Sequence, residues 1–242
     1  EFIDGILMPT PAAVLRAGEV LARGTKKLDG VGDLMMTDIG GATTDIYSLA
    51  DGYPTRAGIN LKGLQEPYAK RTVEGDLGMR YSAIALLEAG GERLFHGYGI
   101  KDEIYEKCFY RHNHVNFISK EKGDVIFDET LAKVATKLAV ARHVGKLEAV
   151  YTPLGEVINQ YGKDLLEIKY LIGTGGVLVH SEKPEEILTE GLFSETEPTL
   201  LKPMKPVIKI DKHYILSAMG LLAYDLPECA FRIMKKYIID GK

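Results

Sequence analysis

Two aspartates, Asp38 and Asp45, flank the pair Gly40-Gly41 in the stretch MMTDIGGATTDIYSLA, Met35 to Ala50, and apolar runs lie on both sides. Glycine permits unusual dihedral angles and lets a ligand approach the main chain. A turn over Ile39-Gly40-Gly41-Ala42 would expose backbone N–H groups of the kind that nest an anion, phosphate above all. A carboxylate beside a phosphate is repulsive unless a divalent cation stands between them. Asp38 and Asp45 therefore predict Mg2+ bound through water, since magnesium keeps several of its waters. Thr43 and Thr44 offer hydroxyls to the same oxygens. A plainer reading fits these residues too, a tight hairpin whose aspartates cap turn amides.

A second glycine turn, Gly173, Thr174, Gly175 and Gly176, follows an apolar run in LIGTGGVLVH. The end of a strand in an α/β sheet is a usual ligand position, although many strand-to-helix turns are rich in glycine. His112 and His114 in RHNHV would share a face if extended, but a metal site needs a third or fourth ligand and none is evident, so they read as a surface pair. His143 falls near a helix end, where a cation suits the dipole. Cys108 and Cys229 read as packing residues, and Glu195 to Glu197 as a solvated loop.

The elements that must hold these groups follow from pattern. Thr10-Pro11 before AAVLRAGEVLARG predicts a helix capped by Thr10, with Pro11 at its first position and Gly24 at its end. Its small residues Ala12, Ala13, Ala17 and Gly18 would let another backbone come close. Residues 34–40, 43–50 and 53–61 predict an antiparallel meander, with Asp51-Gly52 as a hairpin turn. Helices are predicted over 73–90, closed by Gly90-Gly91, and over 128–145, capped by Asp128 and ended by Gly145. Residues 146–166 suit a hairpin or a short helix. Strands at 167–176 and 206–210 precede a helical tail that opens at Asp211 and is interrupted near Pro227. This order predicts an α/β fold, a mixed sheet flanked by helices in a ribonuclease-H-like layer. Residues 1–30 form a helix region, 31–90 with 128–242 the main lobe, and 91–127, polar and without period, a small insertion.

Composition sets limits. The 242 residues are 45% hydrophobic, ample for a core, and carry a net charge of -4, which gives no basic face for nucleic acid. The two cysteines form no CxxC, so a disulfide framework is not expected and a reducing cytoplasm is the default. No secretory signal is evident, and no apolar run approaches the roughly 20 residues of a membrane span. The first residue is Glu1 rather than methionine, which reads as a fragment or a trimmed chain.

Together the two glycine turns carry a resemblance. DIGGATTDIYSL resembles the second phosphate loop of the actin, sugar-kinase and heat-shock-chaperone ATPase superfamily, Asp-x-Gly-Gly-Gly-Thr-x-Asp, and LIGTGG is similar to its adenosine motif. LMPTPAAVLRAG and HYILSAMGLLA resemble its two interdomain helices, in the right order along the chain. More narrowly, GILMPTPAAVL, TVEGDLGMRYSA, AVARHVGKLE and DKHYILSAMGLL resemble the MutL/GlmL family, which accompanies adenosylcobalamin-dependent mutases such as glutamate mutase and ornithine aminomutase. The resemblance implies an ATP-driven, chaperone-like reactivating factor that ejects damaged cobalamin from such a mutase. It implies ATP and Mg2+ as ligands, with Asp38 and Asp45 orienting metal-bound water and Gly40, Gly41 and Thr43 on the phosphates. Gly173, Thr174, Gly175 and Gly176 would lie against adenosine, and Gly75 and Gly78 near the ribose. Outside the resemblance, stacking of Arg142 on adenine is the less favoured reading of that residue, and Glu74 would touch ribose or cap a helix.

Ala42 stands where the superfamily has a third glycine, which is compatible only with a negative φ. The superfamily clamps ATP between two lobes, and the other lobe's phosphate loop should precede the first interdomain helix. This chain therefore resembles the C-terminal lobe of a protein about twice as long, with the N-terminal lobe as a partner. Competing expectations are a scaffold of the same fold that turns over no ATP, a lobe of a sugar or acid kinase, and an actin-like filament subunit.

Overall fold

The first helix, α1 (Thr10–Arg23), starts one residue earlier than capping by Thr10 requires. Extended Pro9 precedes it and no side chain caps it. The computed structural model describes residues 8–153 and 155–241, so the opening of GILMPTPAAVL lies outside the described residues. Two strands follow as predicted, β1 (Leu34–Ile39) and β2 (Thr44–Leu49), antiparallel, with Asp38 opposite Asp45. The third strand of the meander is not 53–61. That stretch yields only β3 (Ile59–Lys62), and β4 (Ala69–Glu74) pairs with β2 instead. The turn expected at Asp51-Gly52 fails because the chain there is wrapped over Lys163, whose Cβ lies 2.6 Å from where a Gly52 side chain would begin. Pro54 then withholds a ladder donor.

Helix α2 (Ala83–Gly90) occupies only the second half of its predicted span. Residues 91–127, without period in the sequence, fold as α3 (Glu92–Gly97), α4 (Ile104–Asn113) and the first turns of α5 (Lys122–His143). The buried side of α4 is Ile104, Cys108 and Arg111, and the arginine hides its apolar stripe. The ambiguous 146–166 stretch is a hairpin, β5 (Lys146–Thr152) and β6 (Gly155–Tyr161), which makes a small three-stranded sheet with β3. The predicted strands appear as β7 (Tyr170–Thr174) and, after α6 (Gly176–His180) and α7 (Pro184–Leu188), as β8 (Val207–Ile210). The tail is α8 (Leu216–Asp225) and α9 (Pro227–Met234), broken at Pro227, and Asp211 lies ahead of α8 rather than inside it.

The main sheet runs β4-β2-β1-β7-β8. Its first three strands are antiparallel, and β1–β7 and β7–β8 are parallel. Side chains alternate across it. Met35, Ile46 and Leu171 pack with α2, α5 and α7 on one face. Leu34, Met36, Tyr47 and Ile172 pack with α1, α8 and α9 on the other. Helices thus cover both faces. Among the described residues none is long and apolar enough to cross a membrane.

The two helices that carry small residues, α1 and α8, pack against each other at backbone distance. A Cβ on Gly220 would fall 1.8 Å from the Ala13 carbonyl oxygen. Gly220→Ala is accordingly expected to force the helices apart and to cost about 1–3 kcal/mol, the range for overpacking. Urea denaturation measures it, and a loss below about 0.5 kcal/mol would show that the crossing is loose.

Candidate functional site

The turn between β1 and β2 is closed by the Gly40 N–H, which donates to the Thr43 carbonyl at 2.9 Å. Neither Gly40 nor Gly41 has a positive φ. The glycines are needed for space: a Cβ on Gly40 would sit 2.9 Å from the Thr43 oxygen. Ala42 has no positive φ either, so its methyl is accommodated. The segment 75–82, expected to be helical, clips this turn instead. Met79 N–H donates to Gly40 O at 3.1 Å and Arg80 N–H to Gly41 O at 2.8 Å. Thr44 Oγ1 donates to Leu77 O at 2.7 Å, and Ser82 Oγ lies 2.8 Å from Ala42 O. Gly78 belongs to the clip rather than to an open ribose site, since its Cβ would fall 2.2 Å from the Ala42 carbonyl carbon, whereas Gly75 faces open space. The N–H groups of Gly41, Ala42 and Thr43 have no partner among the described residues.

Asp38 and Asp45 share one face of the sheet end, and their surroundings differ. Asp45 is 7% exposed; its Oδ1 accepts from Arg71 Nε at 2.8 Å and its Oδ2 from Thr43 Oγ1 at 2.9 Å. Asp38 is half-buried and has no hydrogen bond or ion pair among the described residues. Burial pushes its carboxyl up to about 6, helped by the charges of Asp45 and Asp211 and opposed by Arg71. Asp211 accepts from Ile215 N–H and Leu216 N–H at 3.0 Å each, which caps α8, and Thr174 Oγ1 lies 3.4 Å away. No three His, Cys, Asp or Glu side chains converge as a metal cage among the described residues. One free carboxylate beside a paired one, crowded by like charge, fits a hydrated divalent cation rather than a stripped one.

The turn opens on a cleft of about 690 Å³. Gly40, Gly41 and Gly176 stand along it, with apolar walls from Phe117, Ile118, Val125 and Val177. The second glycine turn is divided. Gly176 reaches the cleft, Gly173 is buried against Leu178 and Leu188, and Gly175, with φ 107°, has no room for a side chain, since a Cβ there would fall 2.4 Å from the Ile39 carbonyl oxygen. In the wall of the cleft lies a network the sequence did not reveal. Asp128 is inside α5 and caps nothing. Its carboxylate accepts from Arg80 Nη2 at 2.7 Å, Arg111 Nε at 2.6 Å and Ser119 Oγ at 2.8 Å. Arg111 is 1% exposed, and a buried charge of this kind persists only when paired.

The remaining candidates are accounted for locally. His112 Nδ1 donates to Tyr81 O and His114 Nδ1 to Tyr110 O, both within their own neighbourhoods. His143 is no cation at a helix end. It is 0% exposed and bonded to Thr72 Oγ1, and burial, then Lys70 and Lys163, drive its pKa well below the ordinary value. Arg142 is held at the edge of its guanidinium by Glu74 and Asp76 at 2.7 Å, Glu74 ends β4, and neither residue lines the cleft. Cys108 packs in the core with its thiol pushed up to about 12 by burial, but Cys229 is exposed. Glu197 pairs with Lys202.

The sequence pattern of the family described as MutL protein matches residues 1–238. Protein MutL of Clostridium tetanomorphum is 58% identical over 241 residues, which cover 99% of this chain and 52% of that protein. The chain thus spans about half the length of this curated relative.

The crowding of Asp38 has a measurable sign. A carboxyl raised from 3.8 to about 6 favours its neutral form in the fold, so stability is full below about 3.8 and is lost as pH rises through 6. Asp38→Asn imitates the neutral form. It is expected to be more stable than the parent at pH 8 by up to about 3 kcal/mol, the gap narrowing below pH 6 and closing near pH 4. Denaturant titrations at these pH values check it, and a gap independent of pH would mean that Asp38 is not crowded.

Proposed function

The chain belongs to the MutL protein family, and from that membership we propose that it is the nucleotide-binding half of an ATP-dependent, chaperone-like reactivating factor. Its client would be a cytoplasmic adenosylcobalamin-dependent mutase of the glutamate mutase or ornithine aminomutase type. The observation that carries the nucleotide reading is the placement of Asp38 opposite Asp45 beside a clipped glycine turn that opens on a cleft of about 690 Å³. That volume is in the usual range for small-molecule sites, roughly 300–1,000 Å³. The strand order, three antiparallel then two parallel, and the α1–α8 crossing support a ribonuclease-H-like, actin-like lobe. The mutase itself rests on the family resemblance.

In this reading the N–H groups of Gly41, Ala42 and Thr43 receive phosphate oxygens, and the clip holds them in place before the ligand arrives. Preformed donors of this kind lose little on binding. Asp38, with both oxygens free, orients water at the phosphates. Mg2+ would supply the positive charge that lets phosphate and carboxylate coexist there. Before nucleotide binds, Thr43 and Arg71 hold the Asp45 carboxylate in place. A second reading has its own support: if Arg71 stays on Asp45 when nucleotide is present, the lobe is a scaffold that binds without turnover.

Mg2+-dependent ATP turnover by the full natural chain, with and without a mutase, separates the two. Asp38→Ala and Asp45→Ala are each expected to lower turnover by at least about a hundredfold, the scale of losing one preorganised polar group. Turnover that survives both changes removes the phosphate-loop assignment, and parent protein that binds Mg-ATP without hydrolysis favours the scaffold. Stability should differ between the variants. Asp45→Ala strands Arg71 and is expected to cost about 1–3 kcal/mol, while Asp38→Ala costs nothing.

A further inference from the structure

In the wall of the cleft, beyond α6 from Gly176, stands a polar pair that the phosphate reading does not use. Helix α6 starts at Gly176 and has five residues, a rise of about 7.5 Å, and Ser181 follows it. Ser181 Oγ donates to Glu129 Oε1 at 2.6 Å and accepts from Lys183 N–H at 3.0 Å. Its proton is therefore committed to Glu129, whose orientation it fixes. Glu129 is half-buried, and its Oε2 has no partner among the described residues. Both residues line the same cleft as Gly40 and Gly41. Neighbouring Asp128 differs, since Arg80, Arg111 and Ser119 saturate it.

A ligand anchored by phosphate at the glycine turn would lie between apolar walls, which suit a flat base, and would end at a bare carboxylate oxygen. That oxygen only accepts. An exocyclic amine satisfies it, whereas a carbonyl oxygen is repelled and leaves the carboxylate unpaired, which is the condition for strong discrimination. We propose that Glu129, held by Ser181, reads the 6-amino edge of a purine and makes the cleft selective for 6-amino over 6-oxo purine nucleotides. This rests on the nucleotide reading above.

Calorimetry on the full natural chain with Mg2+ tests it. The unaltered protein should bind ATP tightest, the triphosphate of unsubstituted purine riboside less tightly, and ITP weakest, with at least about tenfold between the extremes. Glu129→Gln should bring ATP and ITP within about threefold of each other, because a rotated amide presents either donor or acceptor. Ser181→Ala should shrink the ratio partway. Inorganic triphosphate should bind all three proteins alike. Equal binding of ATP and ITP by the unaltered protein, tighter binding of GTP than ATP, or an unchanged ratio in Glu129→Gln would overturn the assignment while leaving the nucleotide site intact. Absence of binding by ATP, ITP and triphosphate alike would remove the nucleotide site, and this inference with it.

Discussion

The polar end of the sheet depends on the register between β1 and β2, which sets Asp38 directly opposite Asp45. Both faces of these strands are buried, and their residues alternate between two separate cores, so a slip of one residue would exchange every side chain between them. Asp45 would then point at Leu77 and α5 instead of at Arg71. The hydrophobic pattern of the strands is thus what fixes two carboxylates face to face, an arrangement that is unfavourable in itself. Arg71 relieves one of them and leaves the other exposed to the charges of Asp45 and Asp211. An arrangement that costs stability and is kept by the surrounding packing is the usual mark of a site rather than of a scaffold.

The turn joining these strands is held from outside as much as by its own sequence. Five residues of the 75–82 segment, Leu77, Gly78, Met79, Arg80 and Ser82, bond to it or pack on it, and the Arg80 guanidinium ends on Asp128 of α5. Backbone donors at the turn, the wall at Phe117 and the buried pair Arg111–Asp128 are therefore one connected body. Arg80 Nε also donates to the Phe117 carbonyl, which ties the cleft wall to the turn through a single side chain. The rigidity of the donors follows from this closure, since no member can shift without unpairing a charge in a site of low polarity.

Much of the architecture is legible in the sequence because it rests on local rules. The apolar runs at 34–40 and 167–176, the amphipathic stretch of α5 and the small residues of α1 and α8 each announce their role by period or size. What escapes is set by contacts distant in the chain. β4 is a half-exposed edge strand whose AKRTVE pattern carries little apolar weight, so the more apolar 53–61 reads as the third strand of the meander. The 75–82 segment holds two glycines, poor helix formers, and its Met79 and Arg80 N–H groups go to the glycine turn. Asp128 resembles a cap because acidic residues favour helix starts, and its burial under two arginines is visible only when α4 is folded against α5. The aspartates and the first glycine turn were readable, whereas Arg71, Arg80 and Glu129 were not, since no motif marks them and their partners lie on other elements.

The two aspartates show how identical residue types acquire different tasks. Asp45 is deeper than Asp38, yet it is the better compensated, with a guanidinium on one oxygen and a hydroxyl on the other. Asp38 lies nearer the surface with neither. Burial without a partner raises the Asp38 carboxyl, whereas Asp45 is held by a guanidinium and a hydroxyl, so the pair splits into a fixed group and a free one. Only the second can change its charge or its partner at little cost to the fold. A ligand that brings positive charge to this end of the sheet would therefore act through Asp38 first, while the Arg71–Asp45 pair sets the field in which it does so.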